Sequence, residues 1–278
     1  MKPRRHTFFF ARLTLAGPWE DKKSATEAAL QTDVAEERGR FKYGFFDYQP
    51  LYLDDTRFAF GRIVKYKQIL EGEVVDEQSH RIVERGLPRG IVAKSDFLLH
   101  SATGLLAYRP VASRLSAHQF RSIFAALLEA AHHAFFVSAH IDPVNEDITI
   151  MDAISRFTKI SRVEFDLHPS NPSNRPFYRP LDQRLKAINA SRMQQTIFGA
   201  EGGLRPDKLK NDDALRGVLM AADGYGEASV DGEIDNRRLV VTTGDAPVRA
   251  DVEPSDEPEN LGRQLLSAFE RLWKRMSE

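Results

Sequence analysis

Phe97-Leu98-Leu99-His100-Ser101-Ala102-Thr103-Gly104-Leu105-Leu106-Ala107-Tyr108 sets two apolar runs on either side of a glycine-containing turn, the pattern of a β-hairpin. Beyond it, Ser116 stands at a helix N-cap position. Phe120, Ile123, Phe124, Leu127 and Leu128 then recur every three or four residues, which makes one helix face apolar. Residues 134–141 read as a strand, 148–157 as a short helix, and 161–168 as a strand in strict apolar–polar alternation. The order strand, strand, helix, strand, helix, strand predicts an α+β fold with mixed or antiparallel sheets and a ferredoxin-like body.

Upstream, residues 7–15 have strand composition and end at the turn pair Gly17-Pro18. Residues 24–37 read as a short helix stopped by Gly39, and residues 41–53 and 58–66 as a hairpin about Asp54-Asp55. Residues 71–89 are mostly polar and contain Gly86-Leu87-Pro88. A boundary there would divide an N-terminal α+β subdomain, 1–85, from a main α+β domain, 86–250. Downstream, residues 169–180 carry four prolines and read as a loop, followed by a helix marked by Leu181, Leu185 and Ile188 and extending toward Met193. Leu209, Leu215, Val218 and Leu219 mark another helix, stopped by Gly224, and a closing hairpin joins residues 225–230 to 239–243. The third unit, 251–278, is an acidic linker and a C-terminal amphipathic helix. Leu261, Leu265, Phe269, Leu272 and Met276 form its apolar stripe, which either docks on its own domain or serves as a seam for an oligomer or another partner.

With 39 Lys and Arg against 40 Asp and Glu, the net charge of −1 supplies no global field for steering onto nucleic acid or an anionic membrane. Any nucleic-acid site must therefore be a local patch. The absence of cysteine removes disulfides, thiolate nucleophiles, and Cys-ligated zinc or iron–sulfur centres. No run of apolar residues is long enough to span a bilayer, and Arg12 interrupts Phe8-Phe9-Phe10 too early for a signal peptide. A cytoplasmic location without a membrane partner is expected.

Several familiar chemistries fail at the motif level. Gly39-Arg40-Phe41-Lys42-Tyr43-Gly44 has the glycine spacing of a phosphate-binding loop, but Phe45-Phe46 stand where Lys and Ser or Thr are required. Gly224-Tyr225-Gly226 follows a helix and precedes a strand, the reverse of the dinucleotide-binding arrangement, and reads as a turn. No nucleophile elbow, kinase signature or His-Glu-x-x-His pair occurs. The leading expectation is therefore a recognition protein without catalysis or a cofactor.

Two polar sets remain. Residues 156–186 hold seven bases to three acids with aromatic residues interleaved, the composition of a phosphate-contacting patch. Its nucleic-acid-binding candidates are Arg162, Arg175, Tyr178, Arg179 and Arg184, with a solvated face over a packed loop as the plainer reading. In the second set, alternation places Glu164, Asp166 and His168 on one strand face. If that strand pairs with the one bearing His140 and Asp142, the five could hold Mg²⁺ or Mn²⁺ for a metal-dependent nuclease. A sheet turning its polar face to solvent gives the same alternation.

The sequence also resembles a bacterial family known as domain of unknown function 4747, over most of the chain up to about Val248. The resemblance rests on residues 7–15, Gly61-Arg62-Ile63-Val64-Lys65-Tyr66, Asp96-Phe97-Leu98-Leu99-His100, and Gly104-Leu105-Leu106-Ala107-Tyr108-Arg109. It continues through the loop 169–172, Gly203-Leu204-Arg205-Pro206, and Gly224-Tyr225-Gly226. The resemblance implies a single-chain cytoplasmic α+β protein of unassigned chemistry, with an expected setting in phage-defence or mobile-element loci. It brings no functional residues. Taken with the residue patterns, it leads to a recognition protein that binds nucleic acid or a protein partner, with a nuclease and an oligomeric scaffold as the alternatives.

Overall fold

The hairpin at residues 97–108 lies inside a larger sheet than its sequence announces. In the computed structural model, which describes residues 5–67, 71–76, 81–86, 90–133, 137–170, 175–209 and 212–277, strand β1 (His6–Ala16) is followed by helix α1 (Lys22–Ala29). Next come β2 (Ala35–Arg38), β3 (Phe41–Leu53) and β4 (Thr56–Lys67). A separate two-stranded ribbon, β5 (Glu71–Asp76) and β6 (Arg81–Gly86), precedes β7 (Ile91–His100) and β8 (Leu105–Tyr108). Then follow α2 (Ala117–Ala131), β9 (Ser138–Pro143), α3 (Asp147–Arg156), β10 (Lys159–Leu167), α4 (Arg179–Ala187) and β11 (Met193–Phe198). The chain closes with α5 (Pro206–Leu209), α6 (Asp213–Ala222), β12 (Gly226–Ile234), β13 (Arg237–Thr242), β14 (Arg249–Val252) and α7 (Pro258–Ser277).

Eight strands make the first sheet, in the order β14-β1-β8-β7-β4-β3-β2, with β9 also pairing β1. The second sheet has the order β11-β10-β12-β13, and every pairing in both is antiparallel. The fold is thus α+β, but the strands expected to form a ferredoxin-like body divide between the two sheets. β7, β8 and β9 belong to the first and β10 to the second. Likewise β4 is hydrogen-bonded along most of its length to β7, so residue 85 does not separate two sheets.

Each layer follows from alternation along its strands. The odd-numbered β1 residues Ala11, Leu13 and Leu15 join Phe120, Ile123, Phe124, Leu127 and Leu128 of α2 in one core. The opposite face, through Phe8 and Phe10, packs against Leu261, Leu265, Phe269 and Leu272 of α7. In the second sheet Val163, Phe165 and Leu167 of β10 face Leu181 and Leu185 of α4 and Leu215 and Val218 of α6. Helix α2 begins with a full capping box, Ser116 accepting from the Gln119 N–H at 3.2 Å while the Gln119 side chain accepts from the Ser116 N–H at 3.0 Å. Adjacent residues with positive φ, Asp54-Asp55 and Asp235-Asn236, turn the β3–β4 and β12–β13 hairpins.

The two sheets meet where α6 runs into β12. Gly224, at φ +85°, allows this turn to lie against β1 and β9, because a Cβ there would stand 2.7 Å from the Cβ of Arg12. Arg12 is buried in the seam, its Nε donating to the Asp223 carbonyl at 2.9 Å and Nη1 to the Thr103 carbonyl at 2.8 Å. Its guanidinium lies over the Tyr225 ring, 4.8 Å from the centroid. From α7, Arg275 reaches the Asp223 carboxylate with Nε at 2.8 Å and the Asn145 carbonyl with Nη1 at 2.6 Å.

The apolar stripe of the C-terminal helix is spent on this packing. Leu261, Leu265, Phe269 and Leu272 are buried in the chain's own core, and Met276 packs partly buried against the second-sheet core. The chain itself thus already covers four of the five residues of the expected oligomer seam. Among the described residues no helix is long and apolar enough to cross a membrane.

Candidate functional site

β1 and β9 run side by side at the seam, with Thr14 opposite His140 on the face turned to the second sheet. β10 ends beside them and continues into His168, Pro169 and Ser170. The start of α1 brings Lys22, the end of α4 brings Lys186, and the turn after α4 brings Asn189 and Ser191. These groups line a cavity of about 380 Å³ that is open to solvent on one side. Among the described residues no Asp or Glu lies in its wall.

Each polar group is held by its element. Asp21 caps α1 by accepting from the Ser24 N–H at 3.0 Å, which fixes the turn carrying Lys22. Behind the cavity, the fully buried Asp182 accepts from the Ser170 N–H and hydroxyl, both at 2.7 Å. Lys186 Nζ stands 2.8 Å from the Asp182 carboxylate and donates to the Ser170 hydroxyl at 2.9 Å. Lys22 has no ion-pair partner among the described residues, and burial followed by the charge of Lys186 holds its ammonium below the ordinary lysine pKa. Thr14 is buried in the same wall, and its hydroxyl has no hydrogen-bond partner among the described residues.

The His140 and His168 rings stack face to face, 3.7 Å between centroids and 17° from parallel. Burial, then the neighbouring His168 and Arg192, pushes His140 down to about 4, and burial lowers His168 as well. Both are neutral at pH 7. The His168 Nδ1 lies 3.4 Å from the Ser191 carbonyl.

The expected basic patch does not assemble on one surface. Arg162 lies on the open face of the second sheet, 3.3 Å from Glu164, whereas Arg184 lies on α4 across the sheet and pairs with Asp213 at 3.1 Å. Arg175 turns inward, 3.7 Å from the buried Asp223. Arg179 opens α4. Tyr178 is 0 % exposed and stands 3.8 Å from the Met276 sulfur, so it presents no ring to a base. Burial removes Tyr178 as a stacking surface and turns Arg175 inward, and Arg162 and Arg184 lie on opposite sides of the second sheet, so the five do not share one face.

The metal set is corrected for a similar reason. β9 pairs with β1, and β10 belongs to the other sheet. His140 and His168 do meet, but Asp166 is engaged by Arg192 and by Gln194 at 2.9 Å, and Glu164 by Arg162. Among the described residues no three His, Asp or Glu groups are placed to hold a metal ion. Asp142 points into the seam with Oδ2 unpartnered. Burial first, and Glu227 next, push its carboxyl up to about 7. Its contribution to stability therefore falls as pH rises from 3.8 to about 7 and is lowest above that range. Asp142→Asn is expected to stabilise the fold by about 1–3 kcal/mol at pH 8 and to lose that advantage near pH 4, measured by urea unfolding at both pH values. Equal effects at both would remove the buried acid from the account.

Lys22, Thr14, Ser170, Asn189 and Ser191 are the members that periodicity does not reveal. Their only local signal is the His168-Pro169-Ser170 turn, and Lys22 is 164 positions from Lys186, which no motif spacing links. No curated protein matches the chain. The pattern-level resemblance has a firmer counterpart in a family match over residues 20–273, so the chain belongs to the family of domain of unknown function 4747 (DUF4747).

Proposed function

We propose that the chain is a cytoplasmic recognition protein that binds a phosphate-bearing ligand, a nucleotide or the end of a nucleic-acid strand, in the cavity between its two sheets. One observation carries this reading: Lys22 and Lys186 are brought from opposite parts of the chain into one cavity whose wall, among the described residues, contains no carboxylate. Lys186 is already paired with Asp182 behind the wall, so Lys22 is the charge without a counterion among the described residues, and an anionic ligand supplies it. The Ser191 and Asn189 side chains in the wall add hydrogen-bond donors suited to phosphate oxygens. The expected phage-defence or mobile-element setting accompanies this reading as a proposal.

Binding is favoured over cleavage by the histidine geometry. An acid and a base that cleave a phosphodiester in line must flank the phosphorus, whereas these two rings touch each other at 3.7 Å. Lys22→Ala removes an ammonium that has no structural partner, and should weaken phosphate binding about tenfold, roughly 1.4 kcal/mol, while leaving the urea midpoint unchanged. The measurement is anisotropy of labelled 5′-phosphorylated strands, with calorimetry of nucleoside 5′-monophosphates alongside. Strands that bind much more tightly than mononucleotides would place nucleic acid in the site, and equal affinities a small nucleotide. Wild-type affinity in Lys22→Ala would sink the reading.

A further inference from the structure

We infer that a phosphomonoester entering this cavity draws one proton onto the His140–His168 pair, so that the site favours a terminal phosphate over an internal phosphodiester. The inference rests on the phosphate-binding reading and follows from the charges around the cavity. Lys186 is matched by Asp182 behind it, and Arg192, beside the histidines, is matched by Asp166. Lys22 alone contributes an unmatched positive charge among the described residues. An internal phosphodiester carries one negative charge and is met as the cavity stands. A terminal monoester carries about 1.5 to 2 near neutral pH, which leaves an excess of negative charge in a confined space.

The imidazoles are the groups able to answer that excess. They line the cavity, and they are already neutral, so each has a vacant site for a proton. The Ser191 carbonyl faces the His168 Nδ1 at 3.4 Å and accepts from an N–H there. Asp166 favours the charged form of both rings, while Arg192 opposes it. The other charged groups packed around the pair are Lys22 from α1, Lys186 and Asp182 from α4, and Asp142, two residues along β9. Asp142 lies outside the cavity wall, toward Glu227. Stacking limits the uptake to one proton, because a second would oppose two imidazolium rings at 3.7 Å. The uptake therefore shows as a raised titration midpoint of the pair with a monoester and a smaller rise with a diester.

The test is NMR titration of the histidine Cε1–H signals of the full chain, alone, with thymidine 5′-monophosphate, and with the dinucleoside phosphate dTpdT. His140→Gln and His168→Gln, either of which suffices, assign the two signals. The monophosphate is expected to raise the midpoint of the pair by about one pH unit or more, a tenfold gain in proton affinity, and dTpdT by less than half of that. Binding of both probes with equal shifts, or with none, overturns the inference and leaves the phosphate reading standing. If neither probe binds, both fall together.

Discussion

Replacing Asp223 with alanine should cost the fold about 3–5 kcal/mol, the penalty for breaking a buried ion pair from one side. Asp223 is 0 % exposed at the C-terminus of α6, where its carboxylate faces Arg275 at 2.8 Å and Arg175 at 3.7 Å. Both arginines are themselves mostly buried, with side chains 14 % and 16 % exposed, so removal of the acid takes a counter-charge away from two largely buried cations. The Tyr178 hydroxyl, buried and next to this carboxylate, titrates well above the ordinary tyrosine range. Asp223→Asn retains the shape and one acceptor, and should lose less than the alanine variant. Urea unfolding of the three proteins gives the comparison, and a loss below about 1 kcal/mol for alanine would mean that water already satisfies the arginines. The consequence reaches the cavity as well. Asp223 precedes Gly224-Tyr225, and the Tyr225 carbonyl accepts from the His168 N–H at 2.9 Å, so a loosened seam should also weaken phosphate binding.

The elements with clean local periodicity were legible in the sequence. The 97–108 hairpin, the helix after Ser116 and the alternating strand of residues 161–168 are all present, the last within two residues of its expected limits, while the first hairpin strand starts six residues earlier, at Ile91. Other strands were hidden by composition. β5 and β6 read as polar linker, and β11 was absorbed into the preceding helix because Met193 extends its apolar spacing. β14, four residues beside an acidic stretch, is a strand only because β1 offers it an edge. The partition into sheets was illegible for a different reason: alternation states which residues share a face, not which strand pairs with which.

The candidate site shows the same limit. Alternation sets His168 on one face with Glu164 and Asp166, and Lys186 falls inside the basic stretch 156–186; the structure brings His168 against His140 and sets Lys186 in the cavity wall. Neither pattern could show that Asp166 and Arg162 already have local partners, nor that Lys22 arrives from a helix in another part of the chain. A local excess of charge is thus a poor guide where acids three-dimensionally adjacent to it are distant in sequence. Arg175 and Asp223 are the clearest instance.

Phe269→Ala is the second large effect expected, a loss of about 3–5 kcal/mol from emptying a filled core position. The Phe269 ring is 0 % exposed and meets Phe10 at 5.2 Å and Phe58 at 5.0 Å, both edge-on, with Trp273 at 6.0 Å. Helix α7 lies close enough to β3 that a Cβ on Gly262 would stand 2.6 Å from a Leu53 methyl, so the helix cannot slide inward to fill the void. Urea unfolding of Phe269→Ala should therefore show a lower midpoint, while the native molecular mass measured by light scattering stays that of the unsubstituted chain. This pairing of readouts separates the two roles available to the apolar stripe. A docking helix loses stability and leaves assembly unchanged, whereas an oligomer seam loses assembly with little change in the unfolding of each chain. Because Leu261, Leu265, Phe269 and Leu272 are buried by the chain's own sheet, the first outcome is expected. A fall in mass at an unchanged midpoint would require α7 to leave that sheet for a partner.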